Sequence, residues 1–181
     1  MKLTIDGRAI SFEGTPTILD LARAAGIAVP SLCDHPRLEP FAACRICLIE
    51  IVGRKGLSPA CSTPAEDGMD VLTATPELQD VRRRTLELIL AEHPSSCLIC
   101  IEKSSCDEYK STLHKTGEIN GCVFCPANGR CALQRVVAEI GVERVPFPSK
   151  RRPGEIRRDD PFIDRDNSLC ILCGRCVRIC E

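Results

Sequence analysis

At 181 residues the chain has room for one or two domains. Its 24 basic and 25 acidic residues leave a net charge of −1, which excludes long-range recruitment of nucleic acid or anionic lipid. Aromatic residues make up 3%, with no tryptophan, so the core is small and calls for covalent or metal staples. The first residues, MKLTIDGRAISF, hold no long apolar stretch of the signal-peptide kind. No run reaches the roughly 18 apolar residues of a membrane span. The chain therefore reads as cytoplasmic and reduced, where its 14 cysteines favour metal over disulfides.

In chain order, residues 2–6 and 9–12 alternate apolar and polar across Gly7, as a hairpin does. A helix is predicted at about 17–25, capped by Thr15 or Thr17, with Ile18, Leu21, Ala22 and Ala25 on one face and Gly26 as its stop. Strands are predicted at 45–52 and 69–73. Strand, strand, helix and further strands, with metal ligands in the intervening loop, outline a β-grasp within an α+β fold. A second helix is predicted at about 76–92, with Thr75 as N-cap and Pro76 at the first helical position. Its apolar stripe is read as Leu78, Val81, Leu88 and Ile89, and Pro94 ends it with His93 at the tip. Residues 97–131 lack periodicity and carry Cys97, Cys100, Cys106, Cys122, Cys125 and Cys131, so ligation must organise them. A third helix, about 131–140, sets Leu133, Val136, Val137 and Ile140 on one side and stops at Gly141. A connector at 146–161 is rich in Pro and Arg. Its Lys150, Arg151, Arg152, Arg157 and Arg158 read as a solvated linker rather than an electrostatic docking patch.

Cys33, Cys44, Cys47 and Cys61 follow the spacing C-x10-C-x2-C-x13-C. A 2Fe–2S cluster on four thiolates takes three ligands from one folded loop and a fourth from elsewhere, which this spacing supplies. A zinc knuckle more often shows two close C-x2-C pairs, and Cys44/Cys47 alone makes one here. This group resembles the 2Fe–2S domain that opens the large iron–sulfur subunit of respiratory complex I and of many hydrogenases and formate dehydrogenases. The stretch STPAEDGMDVLTATPELQDVRRRTLELILAEHP strengthens the resemblance, because in that family a similar strand and helix lead to a ligand histidine.

The run His93-x3-Cys97-x2-Cys100-x5-Cys106 is similar to the family's His/Cys3 4Fe–4S site. A histidine at a helix end is usually a solvated cap, but its place before C-x2-C favours ligation. Imidazole in place of a thiolate removes one negative charge and raises such a cluster's potential. The chain departs from the family pattern here. The family's third cysteine is followed by Leu-Gln opening a helix, and in this chain that text is Cys131-Ala132-Leu133-Gln134, closing a second run Cys122-x2-Cys125-x5-Cys131. Two assignments follow for a 4Fe–4S site: His93, Cys97 and Cys100 with Cys131, favoured by the helix start, or with Cys106. An insertion at 101–125 then leaves Cys106, Cys122 and Cys125, with His114, for an additional 4Fe–4S cluster or zinc, the alternative being buried free thiols.

Cys170-x2-Cys173-x2-Cys176-x3-Cys180 is the bacterial ferredoxin run, whose fourth cysteine usually serves another cluster. No second run follows, so the chain reads as a fragment, and closure of this 4Fe–4S site by Cys180 itself would be strained. The expected domains are a 2Fe–2S β-grasp domain at 1–75, a small helical His/Cys segment at 76–145 and a linker with a partial 4Fe–4S ferredoxin-like domain at 146–181.

Several clusters with no catalytic constellation imply a wire, and with no G-x-G-x-x-G and no P-loop any nucleotide must be bound by a partner. His35, two residues after Cys33, reads as a support for the cluster rather than a base. The resemblance implies an electron-transfer subunit, or its N-terminal part, in an NAD(P)-linked oxidoreductase. Its implied partners are a flavin-bearing NAD(P)H-oxidising subunit, a small thioredoxin-like 2Fe–2S subunit, and a hydrogenase, formate dehydrogenase, quinone or other reductase site. Two other readings are the front of a catalytic iron hydrogenase or formate dehydrogenase chain, and a zinc-stapled interaction module. Scarce aromatics and neutral charge count against the latter as a nucleic-acid binder.

Overall fold

The structure is a computed structural model that describes residues 1–93, 97–100, 122, 125–148, 156–157, 159–162 and 165–180. Cys106, His114, Lys150, Arg151, Arg152 and Arg158, singled out above, lie outside the described residues. The chain divides into two compact units, residues 1–85 with 173–181, and residues 86–172.

The first unit is built on a five-stranded mixed sheet in the order β2-β1-β5-β3-β4. Strand β1 (Lys2–Ile5) turns back into β2 (Arg8–Ser11) through Asp6 and Gly7. Both turn residues have positive φ, 50° and 75°, the backbone that a two-residue hairpin turn demands. Strand β1 also pairs in parallel with β5 (Asp70–Leu72), and β5 runs antiparallel to β3 (Leu48–Ile51). Strand β4 (Leu57–Pro59) forms the edge, antiparallel to β3.

Helix α1 (Ile18–Ala24) packs its apolar face into this sheet's core. Thr17 caps it: its Oγ1 accepts from the Asp20 N–H at 3.2 Å, while the Asp20 carboxylate accepts from the Thr17 N–H at 3.2 Å. That reciprocal box satisfies donors a helix start otherwise leaves open. The core gathers Leu3, Ile5, Ile18, Leu19, Ile49 and Val71, and Cys47 and Cys61 belong to the same cluster.

Helix α2 (Pro76–Glu92) starts where the sequence predicts, with the Thr75 Oγ1 accepting from the Leu78 N–H at 3.4 Å. Its buried face differs from the predicted stripe. Leu78, Arg82, Leu86 and Leu90 are buried, whereas Leu88 is 54% exposed. Glu87 and Ala91 widen this i, i+4 row, and Arg82 takes part in it because its guanidinium donates to the Leu48 carbonyl at 2.5 Å. A buried charge is tolerated there only through such a bond.

In the second unit Leu86, Leu90, Ala91, Leu98, Leu133, Val136, Val137 and Val142 are buried. Helix α3 (Ala132–Ile140) begins at Cys131 and ends at Gly141, whose φ of 71° is the left-handed stop that glycine supplies. Strands β6 (Ile156–Arg157) and β7 (Arg165–Asp166) form a short antiparallel pair, followed by a single turn of 3-10 helix, Asn167–Leu169. Helix α4 (Arg175–Arg178), one turn long, belongs to the first unit.

Candidate metal centres

The end of the β3–β4 hairpin brings the first pair of thiols together. Cys47 immediately precedes β3 and Cys61 follows β4, and the Ala60 N–H donates to the Cys47 carbonyl at 2.9 Å. The ladder that holds Leu48 opposite Pro59 therefore sets Cys61 beside Cys47. The other pair, Cys33 and Cys44, comes from the loop between α1 and β3. That loop is pinned from α1 by Arg23, which makes an ion pair with Asp34 at 2.7 Å and a hydrogen bond to the Ser31 hydroxyl at 3.2 Å. Ala42 and Arg45 flank Cys44 with positive φ, 54° and 55°, a backbone an ordinary side chain enters only when its surroundings enforce it.

The four thiols form one hydrogen-bonded set. Cys33 is held far below the ordinary thiol range, to about 2, by the side chains of Cys44 and then Cys61, while its burial opposes them. Cys44 is driven upward by the same bond to Cys33 and by burial. Cys47 is lowered to about 7, chiefly by Cys61, and Cys61 is driven upward by Cys33 and Cys47. The set thus shares protons that a metal would displace, and metal binding to thiols releases protons in this way. Main-chain N–H groups add to the field: those of Cys44 and Ala43 favour the Cys33 thiolate, and that of Ile46 favours the Cys44 thiolate.

Cys33, Cys47 and Cys61 are almost wholly buried and Cys44 half-buried. Among the described residues no group of three or more His, Cys, Asp or Glu is arranged to hold a metal ion. A two-iron cluster asks for something different, two thiolates on each iron. Four thiols joined in one set, Cys33 bonded to Cys44 and Cys61 and Cys61 also to Cys47, can meet that demand, and N–H groups directed at sulfur are the hydrogen bonds such clusters use. The residues fit the 2Fe–2S group. His35 stands in the same loop, where its Nδ1 accepts from the Arg37 N–H at 3.2 Å.

In the second unit the structure draws together cysteines from both halves of the ambiguous region. Burial pushes the Cys122 thiol up, the Gln134 side chain opposes this by hydrogen bonding, and negative charge on Cys97, Cys125 and Cys131 adds to the rise. Tight turns present the run: Cys125 N–H donates to the Cys122 carbonyl at 3.1 Å and Asn128 N–H to the Cys125 carbonyl at 2.9 Å. Gln134, on the first turn of α3, accepts from the Gly129 N–H at 3.2 Å and donates to the Asn128 side chain at 2.9 Å. Cys97 is half-buried, Cys100 is exposed, and His93 at the end of α2 donates its N–H to the Leu90 carbonyl at 3.2 Å. Cys122 thus stands near Cys97 as well as Cys125 and Cys131, so the two sets drawn from the sequence are not kept apart here.

Of the last run, Cys176 and Cys180 stand one helical turn apart on and just after α4, and both are exposed. The Leu172 N–H is directed at the Cys170 sulfur at 3.4 Å. Gly174 has φ 69°, the left-handed conformation that Arg45 adopts at the matching first position after a cysteine. Sequence reasoning passes over Arg23, Arg175 and Arg178, which hold the Cys33–Phe41 segment. The one signal available is the placing of two of them inside the cysteine run itself, Cys173-Gly174-Arg175-Cys176-Val177-Arg178.

Comparison with known proteins agrees with this chemistry. Residues 1–76 match the 2Fe-2S iron-sulfur cluster binding domain, and residues 82–107 match the NADH-ubiquinone oxidoreductase-G iron-sulfur binding region. The chain is 36% identical, over 100% of its length and 18% of the relative's, to an NADH-quinone oxidoreductase subunit of Rhizobium meliloti. It is 31% identical, over 100% of its length and 28% of the relative's, to the NADP-reducing hydrogenase subunit HndD of Solidesulfovibrio fructosivorans. A crystal structure of an NAD+-reducing [NiFe]-hydrogenase in the H2-reduced state superposes with a TM-score of 0.78 at 30% identity, covering 98% of this chain and 64% of that one. The chain spans about a fifth of the length of the first of these relatives. Among the described residues no helix is long and apolar enough to cross a membrane. On these matches the chain is similar over its whole length to part of an NADH-quinone oxidoreductase subunit and of an NADP-reducing hydrogenase subunit, and it carries a 2Fe–2S cluster binding domain at 1–76 followed by an oxidoreductase-type iron–sulfur binding region at 82–107.

Proposed function

We propose that this chain is the electron-relay region of a multi-subunit NAD(P)-linked oxidoreductase in the cytoplasm. The observation that carries the reading is the hydrogen-bonded set of four thiols, Cys33, Cys44, Cys47 and Cys61, two of which belong to the β-grasp core. Iron–sulfur groups bound there and in the later cysteine runs would supply one-electron chemistry without bond making at the protein. The chain's own residues hold and insulate them. Burial of Cys33, Cys47 and Cys61 keeps water from the sulfurs, and the N–H groups of Ala43, Cys44 and Ile46 stabilise negative charge on them.

In domain terms 1–75 carries the 2Fe–2S centre, 76–145 a His/Cys 4Fe–4S centre and 146–181 a linker with part of a ferredoxin-type 4Fe–4S domain. For the middle centre two observations weigh on the ligand set. The match to the oxidoreductase iron-sulfur binding region ends at residue 107, spanning His93, Cys97, Cys100 and Cys106. Against that, Cys122 feels the charge of Cys97 as well as that of Cys125 and Cys131. We assign His93, Cys97, Cys100 and Cys106 to the family's 4Fe–4S site, which leaves Cys122, Cys125 and Cys131 as the thiols of an additional iron–sulfur or zinc site. The partners are a flavin-bearing NAD(P)H-oxidising subunit with its small 2Fe–2S companion on one side and a hydrogenase or other reductase site on the other. A second reading, favoured by the similarity to the HndD hydrogenase subunit, makes this the electron-input region of a catalytic chain.

Iron, zinc and acid-labile sulfide measured on anaerobically purified protein, with EPR after dithionite reduction, test the proposal. At least two EPR-distinct centres are expected, and negligible iron and sulfide would end it. Cys106→Ser is expected to remove one 4Fe–4S signal while Cys131→Ser spares it. The opposite pattern returns Cys131 to the family site.

A further inference from the structure

Two arginines from the last cysteine run clasp the loop that carries the first cluster ligand. Arg178 donates from Nη2 to the Cys33 carbonyl at 2.5 Å and from Nη1 to the Glu39 carbonyl at 2.6 Å. Its guanidinium carbon lies 5.0 Å from the centre of the Phe41 ring. Arg175 donates to the Asp34 carbonyl at 2.7 Å. Gly174, just before them, approaches Phe41 so closely that a β-carbon there would sit 3.2 Å from the ring. Three carbonyls of one short loop segment are therefore capped from α4, and all these residues belong to the first unit.

We propose that Arg178 is a positioning residue that sets the reduction potential of the 2Fe–2S centre, by fixing a cation on the main chain of its ligand Cys33. The proposal rests on the assignment of Cys33, Cys44, Cys47 and Cys61 to that centre. A cluster held by four thiolates is anionic and gains one further negative charge when it takes up an electron, with no bond made or broken. A cation held nearby in a half-buried setting favours that reduced form, and salt screens it less than it would an exposed charge. The local balance remains cationic because the Asp34 carboxylate is already paired with Arg23. Arginine suits the place better than lysine: its planar fork serves two carbonyls at once while its face lies on an aromatic ring. Arg178 also lies between Cys176 and Cys180, so the same contact ties the 2Fe–2S loop to the run expected to hold another cluster.

The test is a potentiometric titration, followed by EPR, of the full chain loaded with iron and sulfide under anaerobic conditions. At the ambient potential where the wild-type centre is half reduced, Arg178→Gln is expected to lower the reduced-to-oxidised ratio about tenfold. Arg178→Lys keeps the charge and is expected to stay within about threefold of wild type. Arg54→Gln, which gives up an exposed ion pair to Glu66 at the far end of the β3–β4 hairpin, is the control and leaves the ratio unchanged. An unchanged ratio in a loaded Arg178→Gln protein overturns the proposal. So does a protein that loses iron without any shift in the centres it retains. Should Arg178→Gln not load, Arg178→Lys decides, since a tenfold fall with the charge retained removes charge as the cause. A wild-type chain with no 2Fe–2S signal removes the underlying assignment as well, and that result is told apart by the iron and sulfide content.

Discussion

The thiols of Cys33, Cys47 and Cys61 are as buried as the isoleucines and valines around them, whereas Cys97, Cys122, Cys125 and Cys131 are half-buried and Cys100 is exposed. The first set hangs on a sheet. A ladder bond places Cys61 beside Cys47, and α1 and α4 brace the loop of Cys33. The second set hangs on turns, with hydrogen bonds that reach three residues along the chain and one glutamine to tie them to a helix. The apolar core therefore positions the first set of thiols, while the described thiols of the second are positioned by local turns.

The sharpest way to break this contrast is to remove one ligand. Cys61→Ser is expected to eliminate the 2Fe–2S EPR signal entirely and to leave the 4Fe–4S signals in place. Loss of both kinds of signal would mean that the two units do not fold independently around their centres. The hydroxyl fits the cavity but lacks the soft, readily ionised sulfur that iron requires. The substitution therefore tests ligation more than packing.

Next in size is the response to iron removal. Chelation under reducing conditions should leave the sheet intact, with the amides of Ile49, Ile51 and Val71 still protected from hydrogen exchange. The amides of Cys125, Asn128 and Arg130, bonded only within local turns, should exchange at least about tenfold faster than in the loaded protein. Equal loss of protection in both regions would show that the sheet also depends on metal. Structural metal sites can carry folding energy outright, and the comparison decides where in this chain they do.

The contrast also explains what can be read from the residues. The hairpin at Asp6-Gly7, the cap at Thr17, the stops at Gly26 and Gly141 and the first four cysteines are legible because each signal is local or set by spacing. Strand β4 is not, since Leu57-Ser58-Pro59 is too short to show alternation and exists as a strand through its pairing with β3. The buried face of α2 escapes the periodicity because Arg82 interrupts the apolar pattern, and its burial depends on a carbonyl 34 residues away. Arg178 is invisible for the same reason. A cation inside a cysteine run means nothing until the fold shows the Cys33 carbonyl it meets.

The smallest expected effect separates the scaffold's stability from the site's chemistry. Thr17→Ala removes the hydroxyl that accepts from the Asp20 N–H and donates to the Asp20 carboxylate at 2.7 Å. Loss of such a cap costs about 1 kcal/mol. For a unit of this size that lowers the melting temperature of the loaded protein by about 4–8 °C. Helix α1 carries Arg23, and Arg23 holds Asp34 one residue beyond Cys33, so a looser helix has a route to the four thiols. The apolar face of α1, with Ile18, Leu19 and Ala22 fully enclosed, should nevertheless hold Arg23 in place. The melting point should fall while the 2Fe–2S EPR line shape and potential stay at their wild-type values. A shift in either would mean that the cap helps to shape the metal centre through Arg23, and that the first site is less fixed by its core than its burial implies.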